Sequence, residues 1–256
     1  MDNERIEHPS WFNTRLIESD LYLTTEDYYY PSNRSNIWLL RGINRDILID
    51  TGLGVCNLKK HLEKLELLNN NRECIAICTH SHFDRSGGAH HFDNVLIHQG
   101  DYDGLSNGEK SATLNWSHST HYQAPPYKNF VPEEYKVPPT KCTPIFDGHR
   151  INLGGADDDD EIQIKHVPGH TPGSIVCYYP RKKALFTGDF VYECGSGTCL
   201  FDWAPTSSTK DYVQSAYQMI DWLNQHEIDK IYPGHYEIMN IKRVQKLLEE
   251  YIQAKG

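Results

Sequence analysis

Between positions 79 and 88 the chain reads THSHFDRSGG. His80 and His82 stand two apart and Asp84 follows two later. At a strand end or in a tight loop, residues i and i+2 can point the same way. Imidazole nitrogen and carboxylate oxygen are the donors that zinc takes at about 2.0–2.2 Å. The two histidines can thus grip one ion, with Asp84 reaching a second beside it. A lone His-x-His is a weak signal, because histidine pairs are common on plain surfaces. Three further segments strengthen it. PGH at 168–170, TGD at 187–189 and PGH at 233–235 set His170, Asp189 and His235 beside glycines, each just past an apolar run. A metal-held water ionises near neutral pH and attacks esters, thioesters, lactams, lactones or phosphodiesters, the metal polarising the carbonyl. The chain has no G-x-S-x-G elbow that would supply a serine nucleophile instead.

The segments that must position these groups are short apolar runs ending in turn residues: 46–52, 74–80, 94–98, 161–170, 174–180, 183–189 and 230–235. Their length and β-branched content predict strands. Helical spacing puts Leu58, Leu62, Leu65 and Leu68 on one face. The same holds for Val213, Ala216, Ile220 and Leu223 behind a cap at Ser208 or Thr209, and for Ile241, Val244, Leu248 and Ile252. Strands and helices alternate through both halves, which predicts one layered α/β domain over 1–256. Residues 101–150 are polar and poor in apolar runs, and read as an insertion, a lid or pocket wall. The acidic run at 156–161 reads as a solvated turn.

The ordered set HxHxD, then PGH, GD and PGH, resembles the metallo-β-lactamase fold superfamily, from IDTGLG (49–54) to YPGH (232–235). That resemblance implies a four-layer αββα sandwich with metals at one sheet edge. It implies His80, His82 and His170 as ligands of a first ion, and Asp84 and His235 as ligands of a second. Asp189 approaches both, and Asp50 supports them from the early strand and turn. Asp84 is the residue placed to accept or orient the proton of the attacking water. The implied cofactor is zinc, one or two ions per chain, with manganese and iron sharing the same donors. Arg85 departs from the pattern, since many members carry histidine there as a further ligand. A guanidinium donates only, so Arg85 removes a ligand and adds positive charge. Some members with arginine at this place still hold two zinc ions, and Arg85 is read as hydrogen-bonding support for Asp84 or Asp189.

Further segments, 33–42, 46–54, 185–193, 200–213 and 231–235, resemble the acyl-CoA thioesterases of the superfamily, whereas ECGSGTC at 193–199 does not. That implies a small thioester or ester substrate, acyl-CoA foremost. Tyr28, Tyr29, Tyr30, Trp38, Trp116, Tyr122 and Trp203 are candidates for an acyl groove; Arg181, Lys182 and Lys183 could meet the phosphates of CoA, but PRKK reads first as a polar hairpin turn. Other readings are a glutathione thioesterase, lactonase or β-lactamase, a mononuclear iron persulfide dioxygenase, and a non-catalytic protein with a relic site.

The bulk properties set limits. The net charge of −10 over 256 residues argues against a nucleic-acid partner, which needs clustered basic residues. No run reaches the roughly 18 apolar residues of a membrane span, and the N-terminus lacks a signal-peptide core. Seven irregularly spaced cysteines, Cys194 and Cys199 among them, read as free thiols in a reducing compartment. The expectation is an intracellular, cytoplasmic protein, with peripheral membrane association open. Oligomeric state is not legible.

Overall fold

A computed structural model describes residues 7–29, 33–69, 71–108, 114, 125–155, 159–194, 198–199, 202 and 204–256. Strands β1 (Phe12–Glu18), β2 (Leu21–Glu26), β3 (Ile37–Arg41), β4 (Arg45–Ile49), β5 (Glu73–Cys78), β6 (Val95–His98) and β7 (Thr143–Ile145) form a seven-stranded sheet in that order. It is antiparallel from β1 to β4 and parallel from β4 to β7. A five-stranded sheet joins β8 (Arg150–Asn152), β9 (Glu161–His166), β10 (Ile175–Tyr179), β11 (Ala184–Gly188) and β14 (Lys230–Pro233) in the order β14-β11-β10-β9-β8. A small antiparallel ribbon pairs β12 (Tyr192–Glu193) with β13 (Thr198–Cys199).

The apolar runs are continuous because most strands are covered on both faces. Alternate residues divide the two coverings. Trp38, Leu40, Ile47, Ile49, Ile75 and Ile77 meet Ile164, Ile175, Cys177 and Phe186 between the sheets. The intervening residues Ile37, Leu39, Leu48, Ala76 and Cys78 pack outward on α1 (Leu58–Lys64) and α3 (Tyr102–Asn107). On the far side, Val176, Tyr178, Leu185 and Ile231 pack on α4 (Thr209–Leu223) and α5 (Ile241–Lys255). The result is two sheets face to face with helices outside, the αββα sandwich. No helix among the described residues is long and apolar enough to cross a membrane.

Side-chain caps set the helix starts. Ser208 Oγ accepts from the Asp211 N–H, Asn240 from Arg243 and Asn57 from Lys60. The leucine face predicted from Leu58 to Leu68 is shorter than its spacing suggests. The helix ends at Lys64, Leu65 is 45% exposed, and Leu67 and Leu68 return to the core from the following turn. In α4 the buried stripe is Tyr212, Ser215, Ala216, Met219 and Leu223, with Val213 and Ile220 at its margin.

Several expectations need correction. Trp38 does not line a groove: it lies between the sheets against Tyr232 at 5.0 Å, and its Nε1 donates to the Pro233 carbonyl. Tyr29 is likewise buried. Tyr30, Trp116, Tyr122 and Trp203 lie outside the described residues. Cys194 is disulfide-bonded, while Cys56, Cys74, Cys78, Cys142 and Cys177 are free. The ribbon folds the chain back on itself after Cys194 and brings the backbone of Cys199 into the opposing strand, which spacing alone does not disclose. In the acidic run, Asp160 is buried and takes hydrogen bonds from the Tyr179 hydroxyl and the Gly155 N–H. Arg181, Lys182 and Lys183 pair with Asp159 and Asp160, Glu18, and Glu227, which makes that stretch a polar turn. Within 101–150 the structure has α3, a 3-10 turn at Pro132–Glu134 and β7, so the segment is not structureless.

Candidate metal centre

His80 and His82 follow β5 in a loop closed by the single turn of α2 (Phe83–Ser86). His82 precedes that turn in an extended conformation, and Asp84 and Arg85 lie within it. Asp50, at the end of β4, anchors the loop. Its Oδ1 accepts from the Thr79 N–H at 2.8 Å and its Oδ2 from the Thr79 hydroxyl at 3.0 Å. The Ile175 N–H donates to the Thr79 carbonyl and ties the loop to the second sheet. His170 lies in the connection from β9 to β10, Asp189 follows β11, and His235 follows β14. Strand ends of both sheets thus meet at one edge of the sandwich.

The imidazoles of His80, His82 and His170 form a triangle. Each pair of ring centroids is 4.6 Å apart, with the planes nearly perpendicular. His82 Nδ1 and His170 Nε2 are 2.9 Å apart, and the other nitrogen of His82 bonds the Thr206 hydroxyl at 2.9 Å. His80 Nε2 is buried with no hydrogen-bond partner among the described residues. A buried polar atom left so is uncommon and calls for a ligand. Burial, with His170 and His82 beside it, holds the His80 pKa well below the usual histidine value, so its lone pair is free to donate. One ligand atom from each of the three residues lies within 4.8 Å of the others. A divalent cation fits this donor set, and the missing partner of His80 Nε2 is what it would supply.

A second group shares this pocket. Asp189 Oδ2 lies 3.8 Å from His80 Nε2, 3.7 Å from His170 Nε2 and 3.6 Å from His235 Nε2. Asp84 Oδ2 is 3.4 Å from His235 Nε2. His80, Asp84 and Asp189 form a further set with ligand atoms within 4.8 Å. His235 Nδ1 lies 2.9 Å from the Arg34 carbonyl. A carbonyl only accepts, so Nδ1 carries a proton and Nε2 faces the carboxylates. Burial and Arg85 pull the His235 pKa down, but Asp189 and Asp84 outweigh them and raise it to about 9.

Arg85 is fully buried. Its Nη2 is 2.6 Å from Asp189 Oδ1 and 3.4 Å from Asp84 Oδ2. Nη1 donates to the Gly234 carbonyl at 2.6 Å and lies 3.9 Å from Asp50 Oδ2. The guanidinium therefore takes one oxygen of Asp189 and leaves the other facing the histidines. Burial works against the charged forms of Asp84 and Asp189, but Arg85, with His235 beside them, prevails and holds both below the usual carboxylate range. Asp50 is the exception: burial pushes its carboxyl up to about 7 against the same guanidinium. Gly234 makes the arrangement possible, because a Cβ there would sit 2.6 Å from Asp189 Oδ1 and 2.8 Å from Arg85 Cζ.

All six predicted ligands and both supporting residues therefore meet in one pocket. Among the described residues the remaining histidines do not join them. His98 stacks on His166 with centroids 3.8 Å apart, and His90 and His91 occupy a separate 3-10 turn. Sequence reasoning missed several neighbours. The Ser35 hydroxyl donates to the Asp84 carbonyl at 2.6 Å. The Thr206 hydroxyl bridges His82 Nε2 and the His170 carbonyl. The Tyr192 ring stands edge-on to His235 with centroids 5.1 Å apart. Ser35, Thr206 and Tyr192 fall inside the stretches that resemble thioesterases, but no ligand spacing singles them out.

The comparisons with known proteins agree with this geometry. Residues 31–235 match the family described as the metallo-beta-lactamase superfamily. The acyl-coenzyme A thioesterase MBLAC2 of Homo sapiens is 33% identical over 255 residues, 96% of this chain and 88% of its own. The protein of that name in Gallus gallus is also 33% identical, with the same coverage. A probable metallo-hydrolase of Methanocaldococcus jannaschii is 27% identical over 85% of this chain and 94% of its own. Among solved structures, a metallo-beta-lactamase family protein of Thermus thermophilus superposes with a TM-score of 0.66 at 22% identity, over 93% of this chain and 80% of its own. That likeness bears on fold alone. A chain one-third identical to such relatives along nearly its whole length belongs to the metallo-beta-lactamase superfamily, and it is a metallo-hydrolase of that superfamily.

Proposed function

We propose that this chain hydrolyses acyl-CoA thioesters. In this reading His80, His82 and His170 hold one divalent ion, zinc first among the candidates, and Asp84, Asp189 and His235 are the donors available to a second. Such an ion supplies a water of lowered pKa and a Lewis acid for the thioester carbonyl. Asp84, with Oδ2 toward His235 and its main chain held by Ser35, accepts or orients the proton of the attacking water. Arg85 keeps Asp84 and Asp189 ionised and turned inward. Asp50 holds the loop that carries His80. A thiolate leaving group needs less protonation than an amine because its conjugate acid has the lower pKa.

Two observations support the reading. The hydrolytic chemistry rests on the three converging imidazoles, with His80 Nε2 lacking a hydrogen-bond partner among the described residues. The choice of a CoA thioester rests on the activity named for the relatives that are 33% identical over 96% of this chain. The proposal extends to one domain over 1–256, with part of 101–150 walling the substrate site. A cavity of about 460 Å³ lies among Leu53, Val55, His90, Tyr127, Phe130 and Tyr135, with Lys128, Lys136 and Glu134 also lining it. Phe83, between His82 and Asp84, packs edge-on to Tyr135 with centroids 6.2 Å apart. In this reading the cavity, whose wall residue Tyr135 touches the Phe83 ring, takes the phosphate-bearing end of a CoA ester.

The test is a substrate panel on metal-analysed protein: acyl-CoA, glutathione thioester, lactone and lactam, with oxygen uptake followed in parallel. Acyl-CoA turnover that chelation abolishes is the expected result. A lactam or glutathione thioester cleaved while acyl-CoA stays at the buffer rate overturns the substrate assignment. Bound iron with oxygen uptake overturns the reaction class.

A further inference from the structure

His82 and His170 come from loops of different sheets, 88 positions apart, yet two of their nitrogens meet at 2.9 Å. Something must hold those loops in register before any ion arrives. Asp101, in the turn between β6 and α3, is placed to do so. It is only 4% exposed. Its Oδ2 accepts from the Ser81 N–H at 2.8 Å, and Ser81 lies between His80 and His82. Its Oδ1 accepts from the Gly173 N–H at 2.7 Å, three residues past His170. One carboxylate thus spans the two histidine loops, one oxygen to each.

The packing around this contact is close. A Cβ on Gly173 would fall 2.5 Å from the Asp101 nitrogen and 2.6 Å from its Cβ. A Cβ on Gly100 would fall 2.7 Å from the Pro172 carbonyl oxygen. Neutral ties between the loops include Ile175 N–H to the Thr79 carbonyl, and the Thr206 hydroxyl between His82 and His170. Hydrogen bonds to a charged acceptor are the stronger kind, and leaving buried N–H groups unpaired is costly.

We infer that Asp101 is a positioning residue that sets the spacing of the His80, His82 and His170 triangle by clamping the Ser81 and Gly173 amides, without itself reaching the ion. The inference rests on the metal centre proposed above. It assigns to Asp101 what partners of ligating groups do in metal sites, where their loss typically weakens metal binding about 10–100-fold.

The test uses the full chain with Asp101→Asn, an isostere that offers one acceptor oxygen and turns an NH2 group toward the other amide. Zinc affinity is measured by competition with a chromophoric chelator, and geometry by the visible absorption of the cobalt-loaded protein. Folding is followed separately by circular dichroism of chelator-treated samples. Zinc binding about 10–100-fold weaker than wild type, with an altered cobalt spectrum in a protein that remains folded, is the expected result. Affinity within about threefold of wild type and an unchanged spectrum overturn the inference and leave Asp101 a fold residue only. If Asp101→Asn does not fold, Gly173→Ala carries the test: it keeps the carboxylate but crowds the clamp, and the same loss is expected. Wild-type protein that binds no divalent ion defeats the proposed function instead, which keeps the two failures distinct.

Discussion

Replacing Arg85 by methionine removes a charge from the interior while keeping much of the side-chain volume. The guanidinium is fully buried, 2.6 Å from Asp189, 3.4 Å from Asp84 and 3.9 Å from Asp50, and donates to the Gly234 carbonyl. Its removal takes the guanidinium from all three carboxylates in metal-free protein and leaves Asp84 and Asp189 with the His235 imidazole beside them. Breaking a buried ion pair from one side costs about 3–5 kcal/mol, a large part of the roughly 5–15 kcal/mol that holds a domain folded. At about 2–4 °C per kcal/mol for a chain of this size, the midpoint should fall by about 6–20 °C. Urea and thermal unfolding of chelator-treated wild type and Arg85→Met measure this directly. A difference below about 1 kcal/mol would refute the claim that Arg85 neutralises this cluster. Arg85→His asks the complementary functional question. If arginine supports the carboxylates, metal content is preserved and turnover falls or changes little. A sharp rise in turnover would mean that Arg85 merely displaces a ligand.

Three other outcomes follow from named contacts. His80→Ala should lose bound metal and acyl-CoA turnover together, by elemental analysis and a thiol-release assay; activity surviving without metal would contradict the centre. Burial raises the Glu26 pKa from 4.5 to about 7 although Trp11 Nε1 and the Leu53 N–H both donate to it. The folded state then holds this proton more tightly than the unfolded chain, so Glu26 lowers stability as pH rises from about 4.5 through 7. Glu26→Gln should flatten that part of the stability profile, worth on the order of 3 kcal/mol, and an unchanged slope would show that the group is not titrating there. Finally, reversing both amines with Lys128→Glu and Lys136→Glu should raise KM for acyl-CoA several-fold while leaving a short thioester without a nucleotide unaffected. Equal effects on both substrates would remove that cavity from the substrate path.

Much of the fold was legible because its strands are covered on both faces. Apolar runs such as 46–52 and 183–189 could hardly be anything but buried strands, and each ended in the polar residue that reaches the centre. The errors came where a local pattern was broken from a distance. Leu65 has the right spacing for a buried helix face, yet the helix stops one residue earlier. Trp38 has the chemistry of a groove residue, yet strand alternation turns it into the inter-sheet core. Cys194 looked like an unpaired thiol until a two-strand ribbon folded the chain back beyond it.

The sequence by itself determined which donors exist and that each follows a strand: His80, His82, Asp84, His170, Asp189 and His235 could be named from type and spacing. Only the tertiary structure decided how they meet. It turned one oxygen of Asp189 to the histidines and the other to Arg85, buried that arginine among three carboxylates, and set Asp101 across two loops. The physical reason is range. Hydrophobic periodicity and turn chemistry act over a few residues and are written along the chain, whereas hydrogen bonds and charge pairs in a buried pocket join residues up to about 200 positions apart, and nothing local records which partner each will find.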